Sequence, residues 1–206
     1  MSGLFISFEG GEGAGKTTQI NLLYDYLQTK KNNVLLTKEP GGSIICNKIR
    51  KLILSKKEEE KLAPLAELFL YLADRAHHVA KVIRPALDAN KIVICDRYTD
   101  STLVYQGYGR GLNMEQLESW NILATENLQP DITFVFDIEP TIGLTRIKTQ
   151  RGLDGLDRME SEALEFHKRI RNGYLALLDK FPQRIKIIDA SKSIDEIHNI
   201  IKQYIP

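Results

Sequence analysis

Short runs of apolar residues alternate along the chain with longer stretches in which apolar residues recur every three or four positions. The runs are predicted to be five strands: LFISF at 4–8, VLL at 34–36, IVIC at 92–95, ITFVF at 132–136 and IKII at 185–188. The stretches between them, such as 20–27, have apolar residues at helical spacing. This alternation predicts an α/β fold, with a five-stranded parallel sheet and helices on both faces, because strands without polar alternation are buried on both sides.

Three local patterns lead to more specific expectations. A long helix is predicted at 62–87, with Pro85 kinking or ending it near Arg84, because proline has no amide hydrogen for the helical ladder. The charged run KKEEEK at 56–61 is predicted to be a solvated surface turn. The glycine-rich GYGRG at 107–111 is predicted to be a flexible loop. No repeat or linker divides the sequence, so residues 1–206 are expected to form a single domain.

Composition then narrows the class of protein. The 206 residues are 43% hydrophobic and 27% charged, which is typical of a packed globular protein. A formal net charge of +1 argues against a nucleic-acid coat. No apolar run approaches the ~18 residues of a membrane helix, and the N-terminus does not resemble a signal peptide. Cys46 and Cys95 are too few for a disulfide scaffold. We therefore expect a cytoplasmic protein with no nucleic-acid and no membrane partner.

The strongest chemical signal follows the first predicted strand directly. The segment GGEGAGKT at 10–17 fits G-x-x-x-x-G-K-[ST] at every position and precedes a predicted helix. Glycines let the backbone wrap a phosphate, while successive N–H groups and the helix N-terminus supply positive charge. We expect Lys16 at the β- and γ-phosphates of a nucleoside triphosphate and the Thr17 hydroxyl on Mg²⁺. The predicted residues of this triphosphate site, an ATP site if the protein is a kinase, are Gly10, Gly11, Glu12, Gly13, Ala14, Gly15, Lys16 and Thr17.

A phosphate-binding loop of this kind serves phosphotransferases, GTP-driven switches and motor ATPases. A guanine-specific switch would normally carry Asn-Lys-x-Asp after a late strand, and this sequence has no such element. A motor ATPase usually ends a strand with an Asp-Glu pair that activates water, whereas Asp96-Arg97 follows the third predicted strand. Arginine binds phosphate bidentately, so this pair favours a phosphotransferase that grips an acceptor phosphate beside the donor.

Several further motifs, taken with the P-loop, resemble the thymidylate kinase family. They are EPGG at 39–42, ADRA at 73–76, DRY at 96–98, STLVYQG at 101–107 and DRME at 157–160. The resemblance extends from about residue 4 to residue 190. It implies a P-loop kinase fold, transfer of the γ-phosphoryl group of ATP to dTMP with Mg²⁺, and a homodimer whose candidate face is the long helix. The alternatives are another nucleoside monophosphate kinase or a P-loop regulatory ATPase.

The resemblance also implies an acceptor site within about residues 37–110. Tyr71, where the family usually has phenylalanine, would stack on thymine. Arg75, Thr102 and Gln106 would contact the base, and Tyr105 would lie against the sugar. The expected dTMP-binding residues are Glu39, Pro40, Arg50, Tyr71, Arg75, Arg97, Ser101, Thr102, Tyr105 and Gln106. The candidate metal-binding residues are Thr17, Glu9 and Asp96.

Phosphoryl transfer needs positive charge around the moving group more than it needs a base. Part of the family carries an arginine inside the P-loop, and the rest supplies arginines from a mobile lid. Position 13 is glycine here, so the resemblance implies the lid arrangement, with a lid at about 141–157. The predicted catalytic residues are Lys16, Asp96, Arg97, Arg146 and Arg151.

Overall fold

The computed structural model describes residues 3–55, 62–152 and 155–205. Its strands are β1 (Leu4–Gly10), β2 (Val34–Lys38), β3 (Ile92–Asp96), β4 (Ile132–Asp137) and β5 (Ile185–Asp189). They form one sheet in the order β2-β3-β1-β4-β5, and all four neighbouring pairs are parallel. The predicted five-stranded parallel sheet is confirmed. The charged run at 56–61, predicted to be a surface turn, lies outside the described residues.

Helices cover both faces of this sheet, as predicted. In the described ranges they are α1 (Lys16–Thr29), α2 (Ile44–Leu54), α3 (Pro64–His78), α4 (Arg84–Asp88), α5 (Thr99–Thr102), α6 (Met114–Thr125), α7 (Pro140–Arg151), α8 (Leu164–Lys180) and α9 (Ile194–Lys202). Leu23 of α1 and Ile201 of α9 belong to one buried cluster with Phe8 of β1. Ile170 of α8 belongs to a second cluster with Val135 of β4. Within β4, Phe134 and Phe136 belong to the first cluster and Val135 belongs to the second, so successive residues point to opposite faces of the sheet.

Strand β1 lies at the point where the chain changes direction across the sheet. In the sheet, β2 and β3 lie on one side of β1, and β4 and β5 lie on the other. The chain builds the first side before it crosses over β1, between β3 and β4, to build the second. In open parallel sheets, ligands bind in the crevice outside the carboxyl ends of the strands at such a point. The P-loop follows β1 and the pair Asp96-Arg97 lies at the end of β3, so the fold brings these two sequence signals together.

At Pro85 the sequence predicts either a kink or an end of the helix near Arg84; the end is wrong, and the kink stays a prediction. Helical structure does not end near Arg84, because α3 continues through a π-helical segment at Val79–Ile83 into α4, which reaches Asp88. Pro85 lies in the first turn of α4. A π-helical segment thus immediately precedes the proline, and the helix continues past a residue that has no amide hydrogen to donate.

The segment 107–111 is not the predicted flexible loop. Gly107 and Gly109 lie in a π-helical segment, Leu103–Gly109. A Cβ atom on Gly109 would lie 2.7 Å from the Phe166 ring. Glycine is therefore required here by close packing against α8 rather than by mobility. Of the helices in the described ranges, none is long and apolar enough to cross a membrane.

Candidate active site

A cleft of about 850 Å³ opens at the carboxyl ends of β1, β2 and β3. Pockets for small molecules usually have about 300–1,000 Å³. The P-loop lines one half of the cleft, and side chains from the EPGG segment, α3 and residues 96–106 line the other. The predicted site residues that line it are Glu12, Gly13, Ala14, Gly15, Lys16, Thr17, Glu39, Pro40, Arg50, Tyr71, Arg75, Asp96, Arg97, Ser101, Thr102, Tyr105, Gln106, Arg146 and Arg151.

Three P-loop glycines have a positive φ that other residues rarely adopt, Gly10 at +131°, Gly13 at +68° and Gly15 at +86°. Lys16 begins α1, and its Nζ donates to the carbonyl oxygens of Gly10 at 3.0 Å and Gly11 at 2.9 Å. Burial lowers the pKa of Lys16, and the charge of Arg97 lowers it further. Lys16 is thus a buried cation held inside the loop, next to the space that a phosphate chain would fill.

The P-loop also packs directly on helix α7. A Cβ atom on Gly13 would lie 2.0 Å from the carbonyl oxygen of Gly143, and a Cβ atom on Gly143 would lie 2.2 Å from the carbonyl oxygen of Glu12. Real Cβ atoms do not approach backbone so closely. The two backbones therefore touch where neither has a side chain.

Arg97 crosses the cleft from the end of β3 to the P-loop. Its Nη2 donates to Glu12 Oε1 at 2.7 Å, and its Nη1 donates to Tyr174 Oη at 3.1 Å. Burial alone would raise the pKa of Glu12, but Arg97 and Lys16 outweigh it and lower that pKa to about 2. The Arg97 backbone is left-handed at φ +71°, a conformation that costs ~1–3 kcal/mol and often marks functional sites.

Glu9 lies beneath the cleft and is not among its lining residues. Its Oε1 accepts from the Tyr98 amide at 2.7 Å, and its Oε2 accepts from Ser101 Oγ at 2.6 Å and Tyr174 Oη at 2.8 Å. Both oxygens therefore hold the segment that carries Arg97. The structure does not bring Glu9 to the surface of the cleft, where a direct ligand of Mg²⁺ would be needed, and its metal contact stays a prediction.

The buried Glu9 carboxyl is expected to make stability fall as pH rises. Burial, with a smaller contribution from Asp100, raises the Glu9 pKa from 4.5 to about 7. Between these two pKa values the folded protein binds more protons than the unfolded chain. The contribution of the Glu9 carboxyl to the free energy of unfolding is therefore complete below pH 4.5 and is lost as pH rises through 7. Relative to Glu9→Gln, wild-type protein should lose on the order of 2–3 kcal/mol of unfolding free energy between pH 5 and 8.

Urea denaturation at four pH values in that range measures this difference. Glu115→Gln, which removes an exposed carboxylate in α6, is the control and should follow the wild-type pH profile. If wild type and Glu9→Gln instead show parallel profiles, the carboxyl does not titrate in this range and the assignment is wrong.

Arg75 is fully buried, and its hydrogen bonds connect the elements that form the acceptor half of the cleft. Its Nε donates to Glu39 Oε2 at 2.8 Å, and its Nη1 donates to Thr102 Oγ1 at 2.6 Å and Asn121 Oδ1 at 2.7 Å. A fourth bond runs from Nη2 to the Tyr98 carbonyl at 2.9 Å. A guanidinium has five N–H groups, so these bonds leave one for a ligand in the cleft.

Two groups in the cleft suit a magnesium ion. Asp96 Oδ1 is buried and has no hydrogen-bond partner among the described residues. The Thr17 side chain is exposed in the cleft. Mg²⁺ prefers oxygen ligands and keeps several waters, so one carboxylate and one hydroxyl beside the nucleotide phosphates fit it. In the described ranges no three His, Cys, Asp or Glu residues cluster to hold a metal by themselves.

The two predicted lid arginines lie on α7 and line the donor side of the cleft. Arg146 Nη1 is 3.5 Å from the carbonyl oxygens of both Gly13 and Ala190. Arg151 Nη1 donates to Glu160 Oε1 at 2.8 Å. Positions 153 and 154 of the predicted lid lie outside the described residues.

Some residues that shape the site carry no recognisable signal in the sequence. Tyr174 contacts both Arg97 and Glu9 from α8, 77 residues beyond Arg97. Asn121 holds Arg75 from a distance of 46 residues. Glu67 belongs to no motif either, but it lies four residues before Tyr71 and so on the same helical face.

A P-loop at a central parallel strand, an arginine facing it and a second half-pocket beyond define a P-loop phosphotransferase of the nucleoside monophosphate kinase class. The thymidylate kinase family model matches residues 8–201. The chain belongs to the thymidylate kinase family and is a transferase. It is 50% identical over 198 residues to the thymidylate kinase of Desulfovibrio desulfuricans (strain ATCC 27774 / DSM 6949 / MB), covering 94% of this chain and 91% of that one.

A second relative and a solved structure are also similar to this chain along nearly its whole length. The thymidylate kinase of Synechococcus sp. (strain JA-2-3B'a(2-13)) is 50% identical over 194 residues, which cover 94% of this chain and 90% of the relative. The crystal structure of thymidylate kinase from Ehrlichia chaffeensis superposes with a TM-score of 0.78 at 36% identity and covers 98% of both chains. The P-loop kinase fold expected from the sequence is thereby confirmed.

Proposed function

We propose that this chain transfers the γ-phosphoryl group of ATP to dTMP, giving dTDP. The observation that carries the proposal is one continuous cleft whose two halves are joined by Arg97, which reaches from the acceptor side to Glu12 of the P-loop. A regulatory ATPase would have no use for the second half. The family to which the chain belongs supports the same reaction.

In the proposed mechanism, cations inside the cleft and at its rim neutralise the negative charge of the phosphates. They also align the γ-phosphate of ATP with the phosphate of dTMP. Lys16 and the α7 arginines Arg146 and Arg151 serve the donor, and Arg97 with Arg50 hold the acceptor phosphate. Arg50 is fixed for this by donating to the Pro40 carbonyl at 2.8 Å. When bound with ATP, Mg²⁺ would neutralise phosphate charge, and Thr17 and Asp96 are the residues that would hold it.

The direct test is ADP release with MgATP and a panel of acceptors: dTMP, dUMP, UMP, CMP, AMP, GMP and none. Strong turnover with dTMP and weaker turnover with dUMP is the expected result. Equal ADP release without any acceptor would show an ATPase, and strong turnover with another monophosphate would show a different kinase.

Tyr71 is expected to supply the stacking surface for the base. It lines the cleft, and burial raises the pKa of its hydroxyl, which keeps the ring neutral. Tyr71→Ala should weaken dTMP binding roughly 5- to 150-fold, the equivalent of ~1–3 kcal/mol of base–aromatic stacking. Tyr71→Phe keeps the ring and should bind dTMP within about twofold of wild type. Calorimetric titration with dTMP measures both; an equal loss in the two variants would contradict stacking.

The proposal includes a homodimer formed through α2, α3 and α6. Helix α3 packs between the other two. Each of the three presents large apolar side chains to solvent, with Ile44 80%, Phe69 51% and Leu123 77% exposed. Large apolar side chains exposed on three neighbouring helices favour a protein–protein interface on this side of the molecule.

Light scattering after gel filtration tests the dimer. Wild type should elute as a dimer and Leu123→Glu as a monomer. Ile142→Glu, which places the same charge on the exposed side of α7, should stay dimeric and serves as the control. A monomeric wild type would overturn this part of the proposal.

We also propose that residues 1–206 act as one domain in the cytoplasm, with an acceptor region at about 37–110 and a lid at about 141–157. The acceptor side chains that line the cleft fall within the first range, and α7 with its two arginines falls largely within the second. Cys46 and Cys95 are both buried and free, as expected in a reducing compartment.

A further inference from the structure

A buried acid that the proposed mechanism does not use lies behind the acceptor half of the cleft. Glu67 of α3 is 1% exposed, one helical turn before Tyr71. Gln106, expected to contact the base, is also 1% exposed and lines the cleft. Gln106 Nε2 donates to Glu67 Oε1 at 2.9 Å.

Two arginines keep the Glu67 carboxylate charged. Arg158 Nη2 lies 2.6 Å from Glu67 Oε2, and Arg110 Nη2 lies 3.3 Å from the same oxygen. Burial alone would raise the pKa of Glu67, but the bond from Gln106 and the two arginine charges outweigh it and lower that pKa. Glu67 is therefore an ionised carboxylate at neutral pH.

An ionised carboxylate accepts hydrogen bonds and donates none. Only the N–H₂ arm of the Gln106 amide can therefore face Glu67, and the amide cannot turn over without placing two oxygens in contact. The other arm, Oε1, accepts no hydrogen bond from any residue in the described ranges. Gln106 is thus held in one orientation, with its acceptor atom left for another partner.

We propose that Glu67 is a positioning residue for base selection, which holds Gln106 so that its carbonyl oxygen serves the acceptor base. The inference rests on the proposed function. A base that meets this oxygen must offer an N–H group. Thymine and uracil have N–H at position 3, whereas cytosine has a lone pair there, which would face the oxygen and repel it. Glu67 thus makes the pocket selective for keto pyrimidines without touching the ligand.

The test compares binding of dUMP and dCMP, which share the sugar and phosphate and differ only at the base edge. In Glu67→Gln, the new amide can donate to Gln106 Oε1, so Gln106 can turn and present its N–H₂ to the ligand. Titration calorimetry of the full-length protein should show the ratio of dCMP to dUMP dissociation constants falling at least tenfold. Glu67→Asp, whose shorter carboxylate withdraws from Gln106 but keeps its charge, should lower the ratio in the same direction.

The matched control is Arg110→Lys, which alters an ion pair of Glu67 while leaving the Glu67–Gln106 bond in place. Its dCMP to dUMP ratio should stay at the wild-type value. If Glu67 only stabilises the fold, all nucleotides will weaken together and the ratio will not move in either Glu67 variant, which overturns the inference. Failure of wild type to bind dTMP would instead overturn the proposed function, so the two failures are distinguishable.

Discussion

Lys16→Ala is expected to lower kcat at least ~10²-fold, which is the size of effect seen when one transition-state charge contact is removed. Lys16 is the buried cation of the P-loop, held by the carbonyl oxygens of Gly10 and Gly11. Negative charge redistributes on the transferred phosphoryl group and the leaving oxygen, and this ammonium is placed to balance it. The measurement is steady-state turnover with saturating MgATP and dTMP.

The control for this variant is Lys30→Ala, which removes an exposed ammonium just beyond the end of α1. Its turnover should equal that of wild type. The dissociation constant for dTMP should also change little in Lys16→Ala, since the acceptor half is intact. Near-normal kcat in Lys16→Ala would defeat the assignment of this lysine.

Arg97→Ala is expected to reduce kcat/KM for dTMP about 10²- to 10³-fold, because one charged, bidentate contact with the acceptor phosphate is lost. Arg97→Lys keeps the charge but loses the planar fork, so it should recover only part of this loss. Initial rates over a range of dTMP concentrations, at fixed saturating MgATP, measure both variants.

Removing Arg97 also takes away the cation that pairs with Glu12, whose Oε1 keeps the bond from the Tyr105 hydroxyl. A half-buried carboxylate that loses its cation is costly in itself, so a loss of activity has two candidate causes, Glu12 and the missing phosphate contact. The double variant Arg97→Ala/Glu12→Gln separates the two causes. It should remain as slow as Arg97→Ala; recovery towards wild type would show that the arginine only compensates Glu12.

The features that the sequence predicted well are those with local signals. The P-loop is eight consecutive residues between a strand and a helix, and the strands are uninterrupted apolar runs. The errors arose where a distant partner decides the structure. Gly109 looks like a flexible residue until the Phe166 ring packs against it from α8. Pro85 is a local exception: a helix end was one of its two predicted outcomes, because the π turn just before it has no sequence pattern of its own.

The residues of the site also divide into those with a local signal in the sequence and those that distant partners position. Motif matches brought Arg75 to attention, but its burial depends on Glu39, Thr102 and Asn121, which lie 36, 27 and 46 residues away. Glu9 was expected at the metal because it precedes the P-loop. Its actual partners, Ser101 and Tyr174, come from segments 92 and 165 residues away, and no local rule indicates them.

The contact between Gly13 and Gly143 restricts how this enzyme could change. A single substitution cannot place an arginine at position 13 of the P-loop, because any side chain there meets the Gly143 carbonyl oxygen at 2.0 Å. A side chain at position 143 is excluded in the same way, because its Cβ atom would lie 2.2 Å from the Glu12 carbonyl oxygen. The two positions are therefore epistatic. Placing an arginine at position 13 requires shifting the start of α7 first, and a protein engineer should redesign residues 138–143 before changing the P-loop.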